Sequence, residues 1–204
     1  MSVLMDGFRA LLGGSAVLTG EAVAASSMIW GHEQGCEART LLRPKTPEQV
    51  SEILRLCHEH GQTVVPHGGL TGLVDGAVTR ADDEILSLQR LDRIEDVDPV
   101  NRTMTVQAGV PLERAQQAAE AAGMMFAVDL GARGSATIGG NIATNAGGLR
   151  VIRYGMMREN VLGLEAVLAN GSTISSMSKY IKNNTGYDLK QLFIGSEGTL
   201  GVVT

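Results

Sequence analysis

The stretch GARGSATIGGNIATNAGGLRVIRYG, Gly131 to Gly155, constrains this chain more than any other. It is polar, glycine-rich and full of small residues, a composition that lets backbone approach something closely. Lacking a Cβ, the pairs Gly139-Gly140 and Gly147-Gly148 can adopt positive φ and turn several N–H groups toward one point, an arrangement suited to an anionic or extended ligand. Asn141, Thr144 and Asn145 add hydrogen-bonding side chains among them.

Glycine supplies 26 of 204 residues while aromatic residues are only 3%, against an average glycine share of about 7%. Ligand-cradling loops are the simplest source of that excess. A hydrophobic content of 44% is ordinary for a globular chain of this length. The formal net charge of -5, with no long Lys/Arg run, argues against a nucleic-acid partner, because such binding is driven by phosphate neutralisation. Cys36 and Cys57 make no disulfide framework and lack zinc-ligand spacing, so both read as free thiols in a reducing, cytoplasmic compartment. The leader resembles a secretory signal only superficially: glycines break its apolar run, Asp6 and Glu21 intrude, and Arg9 is the only nearby cation. No window approaches the length of a membrane span.

Residues 1–37 read as a loosely helical lead-in, with Trp30 packing it against the domain. Thr40-Leu41-Leu42 is a short strand. Thr46-Pro47-Glu48-Gln49 has a hydroxyl at the N-cap, proline at the first helical position and Gln three residues after the cap, which predicts a helix to about His60. Its apolar positions Val50, Ile53, Leu54 and Cys57 form one stripe, and Gly61 stops it. Val64-Val65 and Glu84–Leu88 are further strands, so residues 38–90 form a small α/β lobe with parallel strands. Residues 91–204 form a second, larger lobe. Met104 and Val106 alternate with polar residues as in a half-buried strand, and Gly109-Val110-Pro111 opens a helix through Ala122. Val161–Ala169 reads as a strand, Asn170-Gly171 as a hairpin turn with Ser172–Ser175 pairing back, Tyr187–Phe193 as a short helix, and Gly198–Thr204 as a final strand. The fold class is α+β: two α/β subdomains, the second a mostly antiparallel sheet flanked by helices.

Three glycine-rich loops, 66–76, 131–148 and 195–201, adjoin strands. A diphosphate needs convergent N–H donors at short range, and PHGGLTG offers several with the Thr71 hydroxyl beside them. Tight turns alone would explain one such loop more easily than three. Neither G-x-G-x-x-G after a strand nor G-x-x-x-x-G-K-[ST] occurs, which excludes the Rossmann and P-loop readings.

The blocks LLRPKTPEQVSEILRLCHEHG, VVPHGGLTGLVDGAV, DLGARGSATIGGNIATNAGGLRVIRYG and NTGYDLKQLFIGSEGTLGVVT resemble, in order, the FAD-binding (PCMH-type) domain of the vanillyl-alcohol-oxidase superfamily. Within it they are most similar to the D-lactate, glycolate and D-2-hydroxyglutarate dehydrogenases, with the cofactor loops most like the hydroxyglutarate branch. The resemblance spans residues 41–204 and implies FAD held between the two lobes. It implies that Pro66, His67, Gly68, Gly69, Leu70, Thr71, Gly72 and Leu73 wrap the diphosphate. Gly131, Ser135, Thr137, Ile138, Gly139, Gly140, Asn141, Thr144, Asn145 and Gly148 would line the diphosphate and isoalloxazine region, and Glu197, Gly201 and Val202 would lie near ribose and adenine. Many relatives tether the flavin through a histidine where this chain has Leu70, so the FAD is expected to be noncovalent. His67 reads as a loop histidine bonded to backbone rather than a tether or base.

Arg150, Arg153 and Tyr154 are candidates to reach the flavin edge or a substrate carboxylate, against a structural role. Asp188 and Lys190 read as a solvent-facing or interlobe pair. The resemblance further implies oxidation of a D-2-hydroxy acid to the 2-oxo acid by hydride transfer to flavin N5, with electrons leaving to a separate acceptor, an electron-transfer flavoprotein or a quinone. Family members are about twice this long, and their metal-binding histidines and substrate arginine belong to a cap domain beyond the final strand, so no residue here is named as catalytic base or metal ligand. The expectation is a fragment or isolated domain whose flavin face is left uncovered. Two other readings stay open: a non-catalytic flavin-binding module or subunit with its substrate domain on another chain, and a non-flavin domain on the same scaffold. A homodimer is also open.

Overall fold

The computed structural model describes residues 2–204. It begins with α1 (Ser2–Leu12), a two-residue strand β1 (Val17–Leu18) and α2 (Glu21–Ser26). β2 (Thr40–Leu42), α3 (Pro47–Glu59), β3 (Val64–His67) and β4 (Glu84–Ser87) complete the first lobe. Its sheet has the order β1-β2-β4-β3, with β2, β4 and β3 parallel and β1 antiparallel at the edge. The strand-helix-strand order dictates the parallel pairing, since the helix must cross over to return the chain in the same direction. The lead-in is helical as expected, and it also contributes that edge strand.

The start of α3 follows from local chemistry. Thr46 Oγ1 accepts from the Gln49 N–H at 3.3 Å, Pro47 occupies the first turn, and Gln49 Oε1 reaches back to accept from the Lys45 N–H at 2.7 Å. Val50, Ile53, Leu54 and Cys57 are all buried along one stripe, and Gly61 takes φ +61° just beyond the end.

The second lobe holds two antiparallel sheets rather than one. β5 (Ile94–Asp98) pairs with β6 (Thr103–Val106), while β7 (Leu164–Val167) is flanked by β8 (Thr173–Ser176) and β9 (Val202–Val203) in the order β8-β7-β9. Helices α4 (Leu112–Ala121), α5 (Ile138–Ala143), α6 (Val151–Tyr154) and α7 (Lys190–Phe193) surround them. The strand expected over 161–169 is shorter, Leu164–Val167: residues 161–163 lead out of the 3-10 turn Met157–Asn160 without pairing, and 169–170 already belong to the hairpin turn. The final strand is shorter still: Gly198 sits at φ +79° against the Pro66 ring, in a turn that delays pairing to Val202.

One core cluster joins the lobes. Leu42, Val50, Ile53 and Leu86 from the first pack with Ala108, Val167 and Val202 from the second. Trp30, expected to pack the lead-in, is instead 68% exposed, and the segment is fastened through its backbone N–H to the Leu70 carbonyl at 2.9 Å. No helix among the described residues is long and apolar enough to cross a membrane.

Candidate FAD site

The PHGGLTG segment leaves the sheet at the carboxyl end of β3, where parallel α/β sheets place their ligands. His67 stands opposite Ser87 in the ladder, and its carbonyl accepts the last bond, from the Leu88 N–H at 3.0 Å. Beyond it, among the described residues, none of the N–H groups of Gly68, Gly69, Leu70, Thr71 and Gly72 donates to another protein atom. Not taken up by the protein itself, these five consecutive donors are free to meet a ligand, since a backbone N–H that leaves solvent needs a partner.

This loop lies directly on the second glycine-rich segment. A Cβ at Gly69 would fall 2.0 Å from the Ser135 carbonyl oxygen, and one at Gly68 would fall 2.8 Å from Thr137 Oγ1. The third loop joins both. A Cβ at Gly76 would meet the Glu197 carboxylate at 2.7 Å, the Glu197 N–H donates to the Ala143 carbonyl at 2.8 Å, and the Gly195 N–H donates to Ile142 at 3.0 Å. Leu70, Asn145 and Glu197, one from each loop, are non-glycine residues at positive φ. Such strain persists only where surroundings over-determine it, and it concentrates at ligand sites.

The glycine pairs work differently from the sequence expectation. Gly139 and Gly140 lie inside α5, capped by Thr137, and Gly147 is not at positive φ either; of the four only Gly148 is, at +117°. Gly139 is needed for contact: a Cβ there would sit 2.6 Å from Ala108 Cβ. Gly148 lies against the Asp129 carbonyl, 1.9 Å from where a Cβ would be. Gly131 is exposed with open space around it, and Gly72 and Leu73 lie exposed at the far end of their loop.

A cleft of about 650 Å³ between the lobes is lined by Gly69, Leu70, Ser135 and Thr137, with Arg43 and Arg114 on its wall. That volume suits a dinucleotide-sized cofactor. Pro66, Gly201 and Val202 line a separate cavity of about 410 Å³ behind β3 and β9. Asn141, buried on α5, has an Nδ2 with no partner, which leaves a donor for a ligand to satisfy. Free loop amides, a close two-loop approach and an orphaned amide donor together fit the diphosphate and polar groups of FAD.

Asp129, for which nothing in the sequence is a signal, supports the site from behind. Its buried carboxylate accepts from Gln116 Nε2 at 3.2 Å and Arg133 Nη1 at 3.3 Å, and Arg150 Nη2 lies 3.3 Å away; its carbonyl accepts from the Leu149 N–H at 2.9 Å. The Gln116 amide first, then the two guanidinium groups, hold this carboxyl below the usual carboxylate range. Asp129 therefore ties together both ends of the 131–150 segment. Arg150, a candidate for the flavin edge, is turned into this structural network instead, while Arg153 stacks 5.4 Å above the Tyr154 ring at the surface. Asp188 and Lys190 pair with each other at 2.6 Å, not across lobes.

The family described as "FAD binding domain" matches residues 38–176. The chain belongs to that family. D-2-hydroxyglutarate dehydrogenase, mitochondrial, of Danio rerio is 48% identical over 197 residues, covering 97% of this chain and 37% of the relative. The Bos taurus protein of the same name is 47% identical over 191 residues, covering 94% and 35%. A D-2-hydroxyglutarate–pyruvate transhydrogenase of Saccharomyces cerevisiae is 42% identical over 200 residues, covering 97% and 40%. This FAD-binding chain thus spans well under half the length of these relatives. Alkyldihydroxyacetonephosphate synthase shares its fold with a TM-score of 0.88 at 18% identity, over 100% of this chain and 39% of the other. So does p-cresol methylhydroxylase, at 0.76 and 21%, over 100% and 42%. The mitochondrial names of the relatives overturn the cytoplasmic expectation drawn from the thiols: Cys36 and Cys57 are free and buried in different core clusters, where each packs as a small apolar side chain and reports nothing of the compartment.

Proposed function

We propose that this chain is the cofactor-holding part of a flavin-dependent dehydrogenase that oxidises a D-2-hydroxy acid, with D-2-hydroxyglutarate the favoured substrate. The observation that carries this reading is the identity to the hydroxyglutarate dehydrogenases over 97% of the chain, which runs through all three converging loops. FAD, when bound, supplies the two-electron acceptor for the substrate hydride.

The chain's own residues bind and orient. The amides of Gly68 to Gly72 would take the diphosphate, with Asn141 Nδ2 donating beside them and Arg43 adding positive charge at the wall. Small residues at 135–141 let the ring system pack against backbone, and Glu197, with its carboxylate beside Gly76, would accept from ribose hydroxyls. Leu70 supplies no nucleophile, so the cofactor is held without a covalent bond at that position. Electrons would leave to a separate acceptor; the transhydrogenase name of the yeast relative makes a 2-oxo acid an alternative to a flavoprotein or quinone.

The test is the visible spectrum of the purified chain before and after heat denaturation and filtration, followed by anaerobic addition of D-2-hydroxyglutarate, D-lactate and glycolate to the full-length enzyme. Flavin bands that pass into the filtrate, and that bleach first with D-2-hydroxyglutarate, are the expected result. Protein that stays colourless and takes up no added FAD would overturn the cofactor site. Bound flavin that no D-2-hydroxy acid bleaches would overturn the substrate.

A further inference from the structure

The resemblance counts His67 among the residues that wrap the diphosphate, yet its buried imidazole is turned to the protein's own backbone at the neck of that loop. His67 is 2% exposed at the end of β3, and its Nε2 lies 2.8 Å from the Ala77 carbonyl oxygen. A carbonyl only accepts, so the ring donates from Nε2. Residues 68–76, with the free N–H groups, are the segment this single bond closes off. Among the described residues nothing else so close to the sheet joins the two ends: the Cys36 thiol reaches the same carbonyl only weakly, at 3.5 Å, and the exposed His32–Asp75 contact at 3.2 Å lies farther along the loop.

We propose that His67 is a positioning residue, a neutral Nε2–H clasp across the neck of residues 68–76 that preorganises the loop amides for the FAD diphosphate. This rests on the cofactor site argued above. Ordering nine residues only when ligand arrives would cost affinity, because each ordered residue loses backbone entropy; a clasp made on folding removes that cost from the binding step.

The clasp has a protonation state built in. Its other nitrogen, Nδ1, is buried with no partner. A protonated ring would present a second N–H there with no acceptor, and burial already pushes the imidazole below its ordinary range, outweighing the opposing Ala77 bond. No charged side chain contributes to that shift. Burial depresses the ring's pKa relative to an exposed histidine, so an opening of the loop that exposes the ring is most strongly opposed above the free histidine range, about 6.5, and becomes easier as pH falls below it.

The experiment measures FAD affinity and dissociation rate by flavin fluorescence for the wild-type chain, His67→Leu and His67→Gln. His67→Leu should weaken FAD on the order of tenfold, the effect of losing one hydrogen bond across the neck of the loop. His67→Gln, which can still donate to Ala77, should recover most of that loss. In the wild type, FAD dissociation should quicken several-fold between about pH 6.5 and 5.5, and in His67→Gln it should stay flat. Should His67→Leu fail to fold, the comparison of pH profiles between wild type and His67→Gln decides alone. A pH effect that survives in His67→Gln belongs to another group, and equal affinity in all variants makes His67 merely structural; either result overturns the assignment. A wild-type chain that takes up no FAD overturns the site itself and the clasp with it.

Discussion

At Gly69 a Cβ would lie 2.0 Å from a backbone oxygen, that of Ser135, whereas at Gly72 the nearest atom is 3.9 Å away. The two glycines share one loop and differ only in what lies against them. Gly69→Ala must therefore push the loop off residues 135–137, a shift of backbone and not of a flexible side chain. We expect it to weaken FAD at least about tenfold and to cost about 1–3 kcal/mol of stability, while Gly72→Ala stays near wild type in both; FAD titration and urea unfolding measure this pair. A Gly69→Ala chain that binds normally would show that the two loops need not touch. Such glycines were legible because a run of small residues has few other uses. Asp129 was not: a lone aspartate carries no pattern, and its role exists only once Gln116, Arg133 and Arg150 are brought to it from other segments. The assignment of positive φ to Gly139 and Gly140 failed for a related reason, since glycine signals either a turn or a close contact and the sequence does not say which.

Elements with strong local signals matched expectation closely, as in α3, where cap, proline, stripe and terminal glycine all agree. Replacing Thr46 by Ala should remove one bond to the Gln49 N–H and cost about 1 kcal/mol, read as a lower unfolding midpoint without a change in FAD affinity; a matching loss of affinity would mean that α3 reaches the site. β5 escaped notice because its sequence, IEDVD, is mostly acidic and its register slips between Ile94 and Asp96, so no alternation survives. That acidity has a use. Lys179 Nζ lies 2.8 Å from both Asp96 and Asp98, fastening the start of the exposed 180–189 segment to the β5–β6 hairpin. With both partners accessible, this clasp is screened by salt. Lys179→Met should accelerate tryptic cleavage at Lys182 at low ionic strength, and high salt should bring wild type up to the same rate. Unchanged cleavage would show that the segment is ordered by its own contacts.

Across the whole molecule, the shared core and the converging loops make different demands on the same interface. Leu42 and Leu86 pack with Val167 and Val202 in one cluster, which predicts that the lobes unfold together, while the cleft of about 650 Å³ keeps polar surface of both lobes apart. A ligand seated there touches Gly69 and Leu70 on one side and Ser135 and Thr137 on the other. Its binding energy should therefore appear as stability of both lobes at once. At a free FAD concentration one hundred times the dissociation constant, linkage adds about 2.7 kcal/mol, which for a chain of this size corresponds to a rise of about 5–10 °C in Tm. Amide exchange gives the sharper reading. If FAD bridges the lobes, slow amides in β4, Glu84–Ser87, and in β7, Leu164–Val167, should gain protection by the same factor on adding FAD, because both report one global opening. Protection confined to β4 would mean that the lobes open separately and that FAD is held by the PHGGLTG loop, with the second glycine-rich segment serving only to pack against it.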